Sequence, residues 1–154
     1  AEAGGGGPVH HLSRLPETLV EALKAAIQVA VTERRIIGLR RLRRWLAEDP
    51  RAGIAAQAVD APDVELLNAA AGSALPLHGS ILVLPEVEDA TIDPFRKVVI
   101  QMLQTKRTIK KAEIRVAATA ALGVEVPTSV YNKVLKELCV VKGGEWQLRS
   151  GNEQ

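Results

Sequence analysis

DPFRKVVIQMLQTKRTIKKAEIRVAATAALGVEVPTSVYNKVLKELCVVKGGEWQLR, running from Asp93 to Arg149, decides the fold. Asp93 suits an N-cap and Pro94 a first helical position, where a missing N–H costs nothing. Phe95, Val98, Val99, Met102 and Leu103 then recur at helical spacing and predict one buried stripe. The polar run Gln104 to Thr108 closes that helix, and the isolated Ile109 suits a very short strand. A second helix follows, with Ile114, Ala117, Ala118, Ala121 and Leu122 facing inward and Gly123 at its left-handed end. Pro127, Thr128 and Ser129 open a third, whose buried side is Val130, Tyr131, Val134, Leu135 and Leu138. Cys139–Lys142 and Glu145–Arg149, joined by Gly143-Gly144, read as a hairpin with a tight two-residue turn. Three helices followed by a two-stranded flap is the order of a winged helix; the alternative is three helices followed by loop.

The first half repeats this order less cleanly. Gly4 to Gly7 and Pro8 make residues 1–12 a flexible lead-in. His10 and His11 stand at its edge without a third ligand for a metal. Ser13 to Glu33 is a helix, buried through Leu19, Leu23, Ala26, Ile27, Ala30 and Val31, and Arg35-Ile36-Ile37 a short extended piece. Leu39 to Glu48 is a second helix on Leu39, Leu42 and Leu46, with Trp45 at its margin. Pro50 to Ala61 reads as a break. A third helix opens at Asp60, Pro62 and Asp63, carries Val64, Leu66, Leu67, Ala70 and Ala71 on its apolar side and ends at Gly72. Ala74–Leu77 and Ser80–Leu84 form a hairpin in which Pro76 demands an edge strand and His78 is only a turn residue.

A shift of 72 places Ile37 under Ile109 and Leu42 under Ile114, while a shift of 65 places Pro62 under Pro127 and Gly79 under Gly144. Seven extra residues between the second and third helices of the first half account for the difference. The expected class is mainly α with small antiparallel hairpins, α+β, as two tandem winged helices. The first, at 13–85, is degenerate; 86–92 is an acidic linker (Glu86, Glu88, Asp89); the second is 93–150 and the tail 151–154.

Composition narrows the chemistry. The chain has 154 residues, a net charge of +2 and 3% aromatics, so its core is aliphatic and its charge too small to argue nucleic-acid binding alone. The single Cys139 excludes an internal disulfide and fits a reducing compartment. No apolar run reaches a membrane span and no signal peptide is recognisable. A start without Met suggests a piece of a longer protein. No phosphate-cradling Gly motif, zinc spacing or Ser-His-Asp set is present, so we expect no catalysis, cofactor, metal or small-molecule ligand. The strongest charge feature is Arg34, Arg35, Arg40, Arg41, Arg43 and Arg44, six arginines within eleven residues. They are read either as a solvated helix face or as a docking surface for acidic protein or phosphate.

In helix-turn-helix readers of DNA, the start of the third helix meets base edges while Lys and Arg hold phosphates. The first copy opens that helix with Asp63 and Glu65 and has no Lys or Arg through Gly72. The second offers Asn132, Lys133 and Lys136, with Lys142 on the wing, but also Glu137 and Glu145. Two or three phosphate contacts give weak, salt-sensitive affinity, so DNA contact is expected to be weak and protein docking leads.

The tandem order, the Gly/Pro-rich lead-in and the run TKRTIKKAEIRVAATAALGVEVPTSVYNKVLKELCVVKGGEWQLRS resemble the C-terminal winged-helix extension of the fifth RNA polymerase III-specific subunit, over nearly the whole chain. Subunits of that family pair with another in a heterodimer similar to general transcription factor F. The resemblance implies a nuclear, non-catalytic role among the subunits of a large complex, in polymerase assembly, stability and transcription of short untranslated RNAs. The competing reading is a DNA-binding regulator or chromosome-organising protein with tandem winged helices.

Overall fold

The computed structural model describes residues 15–51 and 53–153. The expected lead-in, with His10 and His11, and the expected helix start at Ser13 lie outside the described residues. Among those described, the chain is α+β, with seven helices and two antiparallel three-stranded sheets.

Helix α1 (Glu17–Arg34) starts after Pro16, whose carbonyl accepts the Leu19 and Val20 amides at 3.0 and 3.1 Å. Leu23, Ala26, Ile27, Ala30 and Val31 are its buried stripe. It ends on Arg35, held left-handed at φ 64°, a conformation that costs a residue with a side chain roughly 1–2 kcal/mol. Strand β1 (Ile36–Gly38) leads into α2 (Leu39–Ala47), buried through Leu39, Leu42 and Leu46. The expected break then holds a helix, α3 (Ile54–Asp60). Gly53, at φ 88°, turns the chain, and Ile54 and Ala58, four apart, bury one side of a segment otherwise rich in the helix former Ala. The seven residues of α3 match the length of the offset expected between the two halves. Helix α4 (Asp63–Ala70) and the hairpin β2 (Leu75–Leu77) and β3 (Ile81–Val83) complete the half. Val64, expected on the apolar side of α4, faces solvent.

The second half follows with α5 (Asp93–Thr105), β4 (Thr108–Ile109), α6 (Lys111–Leu122), α7 (Thr128–Leu138), β5 (Cys139–Lys142) and β6 (Glu145–Leu148). Gly143 and Gly144 both take positive φ, 63° and 79°, the geometry of the expected two-residue turn. Asp93 is not the N-cap: Ile92 holds that position, and the Asp93 carboxylate accepts the Val87 and Asp89 amides at 2.8 and 3.1 Å. The acidic 86–92 segment is therefore pinned to α5 by its own backbone, with Ile92 buried beneath it. Ala121, expected inward, is exposed.

Both sheets have the same strand order, β1-β3-β2 and β4-β6-β5. Pro76 lies in the edge strand β2, where its missing donor breaks no inner ladder. Side chains alternate across a strand, so each register sorts residues into two faces. In the first sheet, Ile37 and Leu82 point into the first-half core. Ile36, Leu77, Ile81 and Val83 point the other way, into a core shared with α5, α6 and α7. The first sheet is thus buried on both faces. The second is not: Ile109, Cys139 and Leu148 face inward, while Thr108 and Val140, on the opposite face, are exposed.

Candidate functional site

The six arginines do not form one surface. Arg34 donates to the Glu153 carbonyl at the far end of the chain. Arg35 donates to Glu137 at 2.9 Å. Arg43 reaches the Ala58 carbonyl at 3.0 Å and the Asp63 carboxylate at 2.6 Å, clamping α2 to α3 and α4. The Arg41 guanidinium lies 5.9 Å from the Trp45 ring centre, within cation–π range. Arg40 and Arg44 alone of the six are exposed, and neither forms an ion pair among the described residues.

A residue that sequence reasoning passed over organises the joint between the halves. Arg96, on α5, is only 1% exposed. Its Nε donates to the Leu84 carbonyl at 2.9 Å, one terminal nitrogen to the Glu137 carboxylate, and the other lies 3.4 Å from the Arg35 carbonyl. Burial lowers the guanidinium pKa, and the Glu137 charge partly offsets this. Glu137 therefore bridges Arg35 of the first half and Arg96 of the second, both through charge-assisted bonds. His78 adds a tie. Besides turning the β2–β3 hairpin at φ 52°, it places Nε2 2.6 Å from the Leu103 carbonyl in the last turn of α5. Carbonyls there have no partner within the helix, so Nε2–H is the donor.

The last residues are not a loose tail. Gly38, at the N-cap position of α2, has no side chain to offer the helix. Asn152 supplies that oxygen from the other end of the chain, its Oδ1 accepting the Arg41 amide at 3.0 Å. Contact is close enough that a Cβ on Gly38 would lie 2.6 Å from Asn152 Cγ. Asn152→Ala is expected to cost about 1 kcal/mol, the usual value of a lost N-cap, measured by chemical denaturation. An unchanged midpoint would mean the cap is idle in solution.

On α7, Lys133 and Lys136 are exposed, Asn132 is half-buried, and Lys142 stands exposed on the β5–β6 hairpin. The two acids counted against a nucleic-acid surface are both occupied elsewhere. Glu137 turns into the joint, and Glu145 lies 3.8 Å from Lys110. In the first half, Asp63 is held by Arg43, Glu65 is buried, and α4 contains no Lys or Arg.

A groove of about 350 Å³ separates α6 from α7. Phe95, Ile114 and Ala118 form its floor, Lys111 and Arg115 one rim, and the turn Val124–Val126 closes an end. Tyr131 forms the opposite wall. Its ring lies 5.8 Å from Phe95 and 6.3 Å edge-on to Trp146, and its hydroxyl accepts the Trp146 indole N–H at 2.8 Å. Three of the four aromatic residues in the chain thus lock one wall of this groove. A wider hollow of about 750 Å³ beside α5 is lined by Leu75, Pro85, Pro94 and Ile100, with Glu86 and Lys97 giving its rim mixed sign.

Burial pushes the Cys139 thiol up to about 12, so it stays protonated and is a poor nucleophile at neutral pH. Among the described residues, no cluster of three His, Cys, Asp or Glu could hold a metal ion, and no helix is long and apolar enough to cross a membrane. No protein-family model matches the chain, and no curated protein matches it significantly.

Proposed function

We propose that the chain is a tandem winged-helix module that works by docking to proteins, without catalysis, within a large nuclear transcription complex of the kind its sequence resemblance implies, an RNA polymerase III assembly. What supports the tandem reading is the repeated order of helix, strand, helices and hairpin, with identical strand order in the two sheets. What supports docking over DNA reading is the use made of the arginines. Arg34, Arg35, Arg43 and Arg96 hold the chain to itself, and α4 begins with acids where a reader of DNA needs cations.

A second reading, weak contact with nucleic acid, draws on one observation. With Glu137 turned inward and Glu145 beside Lys110, the exposed Lys133, Lys136 and Lys142 meet less repulsion than sequence alone suggests. Three cations still give only non-specific affinity, about 10⁻⁴ to 10⁻⁶ M at physiological salt. Titrating duplex DNA onto the chain at that salt is expected to give dissociation constants in that range, the same for unrelated sequences. Tight, sequence-selective binding would overturn the docking reading. In parallel, affinity purification of the tagged chain from nuclear extract, with partners identified by mass, is expected to recover polymerase III subunits. Recovery of chromatin proteins in their place would reject that assignment.

A further inference from the structure

We infer that the groove between α6 and α7 is the docking site for an acidic, aliphatic peptide segment of a protein partner. The inference rests on the docking reading and gives it a location and a chemistry.

Three observations carry it. Phe95, Ile114 and Ala118 lie buried at the base of the groove, the half-buried Tyr131 and Val126 and the exposed Val124 give it apolar surface, and about 350 Å³ is room for two or three aliphatic side chains. The wall is rigid before any partner arrives, because Tyr131 is fixed by ring contacts to Phe95 and Trp146 and by the indole hydrogen bond. Of the four aromatic residues, Phe95 and Tyr131 line the groove and Trp146 backs the Tyr131 ring. A preorganised wall also spares the ordering cost that binding otherwise carries.

The third observation is charge. Lys111 and Arg115 stand four residues apart on α6, hence on one face, and both are exposed. Their neighbours Lys106 and Lys110 are engaged with Glu113 and Glu145, whereas Lys111 and Arg115 form no ion pair among the described residues. Lys111 lies in the first turn of α6, where the helix dipole adds to its positive potential. Glu125 lines the opposite end of the groove. The site is therefore polar along its length: an occupant sets its carboxylates against Lys111 and Arg115, its aliphatic side chains over the floor, and keeps acids away from Glu125. A nucleic acid matches this poorly, since phosphates gain nothing from the apolar floor and are repelled at the Glu125 end.

The test uses the full chain, isotope-labelled for NMR, and three synthetic peptides of about twelve residues, a usual length for groove-bound segments. One is Glu/Leu-rich, one replaces each Glu with Lys, and one replaces each Leu with Ser. The Glu/Leu peptide is expected to shift amides of residues 111–119 and 123–132 and to bind at least about tenfold more tightly than either control. The exposed double variant Lys111→Glu/Arg115→Glu should lose that binding while its remaining spectrum stays native. No shift up to about 1 mM peptide, shifts mapping elsewhere, or equal binding by the Lys peptide overturns the site. So does a duplex DNA that shifts the same amides more strongly than the peptide. Recovery of polymerase subunits from nuclear extract, repeated with the double variant, separates the two levels. Undiminished recovery keeps the docking reading and overturns the groove; recovery by neither form defeats the docking reading itself.

Discussion

Arg96→Met is expected to destabilise the chain by about 3 kcal/mol, the low end of the range for breaking a buried ion pair, because Glu137 keeps some access to water. For a chain of this size that corresponds to a fall in Tm of roughly 6–12 °C. Three acceptors lose a donor at once: the Leu84 carbonyl, the Arg35 carbonyl and the Glu137 carboxylate. The double variant Arg96→Met/Glu137→Leu should be more stable than the sum of the two single losses predicts, since the Arg96–Glu137 pair counted in both single losses is lost only once. Strict additivity would mean the pair is not coupled. The two tryptophans make the joint visible. Trp45 reports the first half and Trp146 the second, so variants with one changed to Phe follow each half separately. Their denaturation curves are expected to coincide in the parent chain and to separate when Arg96 is Met. Separate curves in the parent would show that the joint does not couple the halves.

Gly38→Ala and Gly151→Ala are each expected to expel the end of the chain from its seat, at a cost of about 2–3 kcal/mol, in the range of overpacking. A methyl at Gly151 would lie 2.6 Å from the Ile37 carbonyl carbon, and that residue also sits at φ 77°. A methyl at Gly38 would strike Asn152 from the other side. Both substitutions break one and the same contact, so the double variant should cost little more than either single one. In a chain cut after Arg149, Gly38→Ala should be nearly neutral, because the strap it would strike is gone. Undiminished destabilisation in that shortened chain would place the cost in β1 or α2 instead. Urea denaturation with a shared slope reads all of these variants.

The pattern of legibility follows the range of the interactions. Elements set by local chemistry were readable: Gly123 ends α6, Gly143-Gly144 turns the last hairpin, and Pro76 sits on an edge. What escaped depends on residues far apart in sequence. The single stripe drawn for α5 omitted Ile100 and Arg96, yet Ile92, Arg96 and Ile100 repeat at four-residue spacing and trace a second buried face. That second stripe was the available sign that α5 packs on two layers. The uninterrupted run Ile81-Leu82-Val83-Leu84 was another, since a sheet with one wet face alternates. Residues of the Arg cluster were found, but the acceptors that consume them, Glu137, Ala58, Asp63 and Glu153, are separated by 15 to 119 positions, beyond any local pattern. The groove was missed because its parts, Phe95, Lys111, Arg115 and Tyr131, each have an ordinary role on their own helix.

The unequal burial of the two sheets gives the repeat a direction. The first copy lends its outer sheet face to the second, through Ile36, Ile81 and Val83. The corresponding face of the second copy offers Thr108, Gln147 and Val140. A third copy stacked by the same rule would have to dehydrate Thr108 and Gln147 where its predecessor buried isoleucine and valine. The second half therefore turns a polar sheet face to water where the first half buries an apolar one.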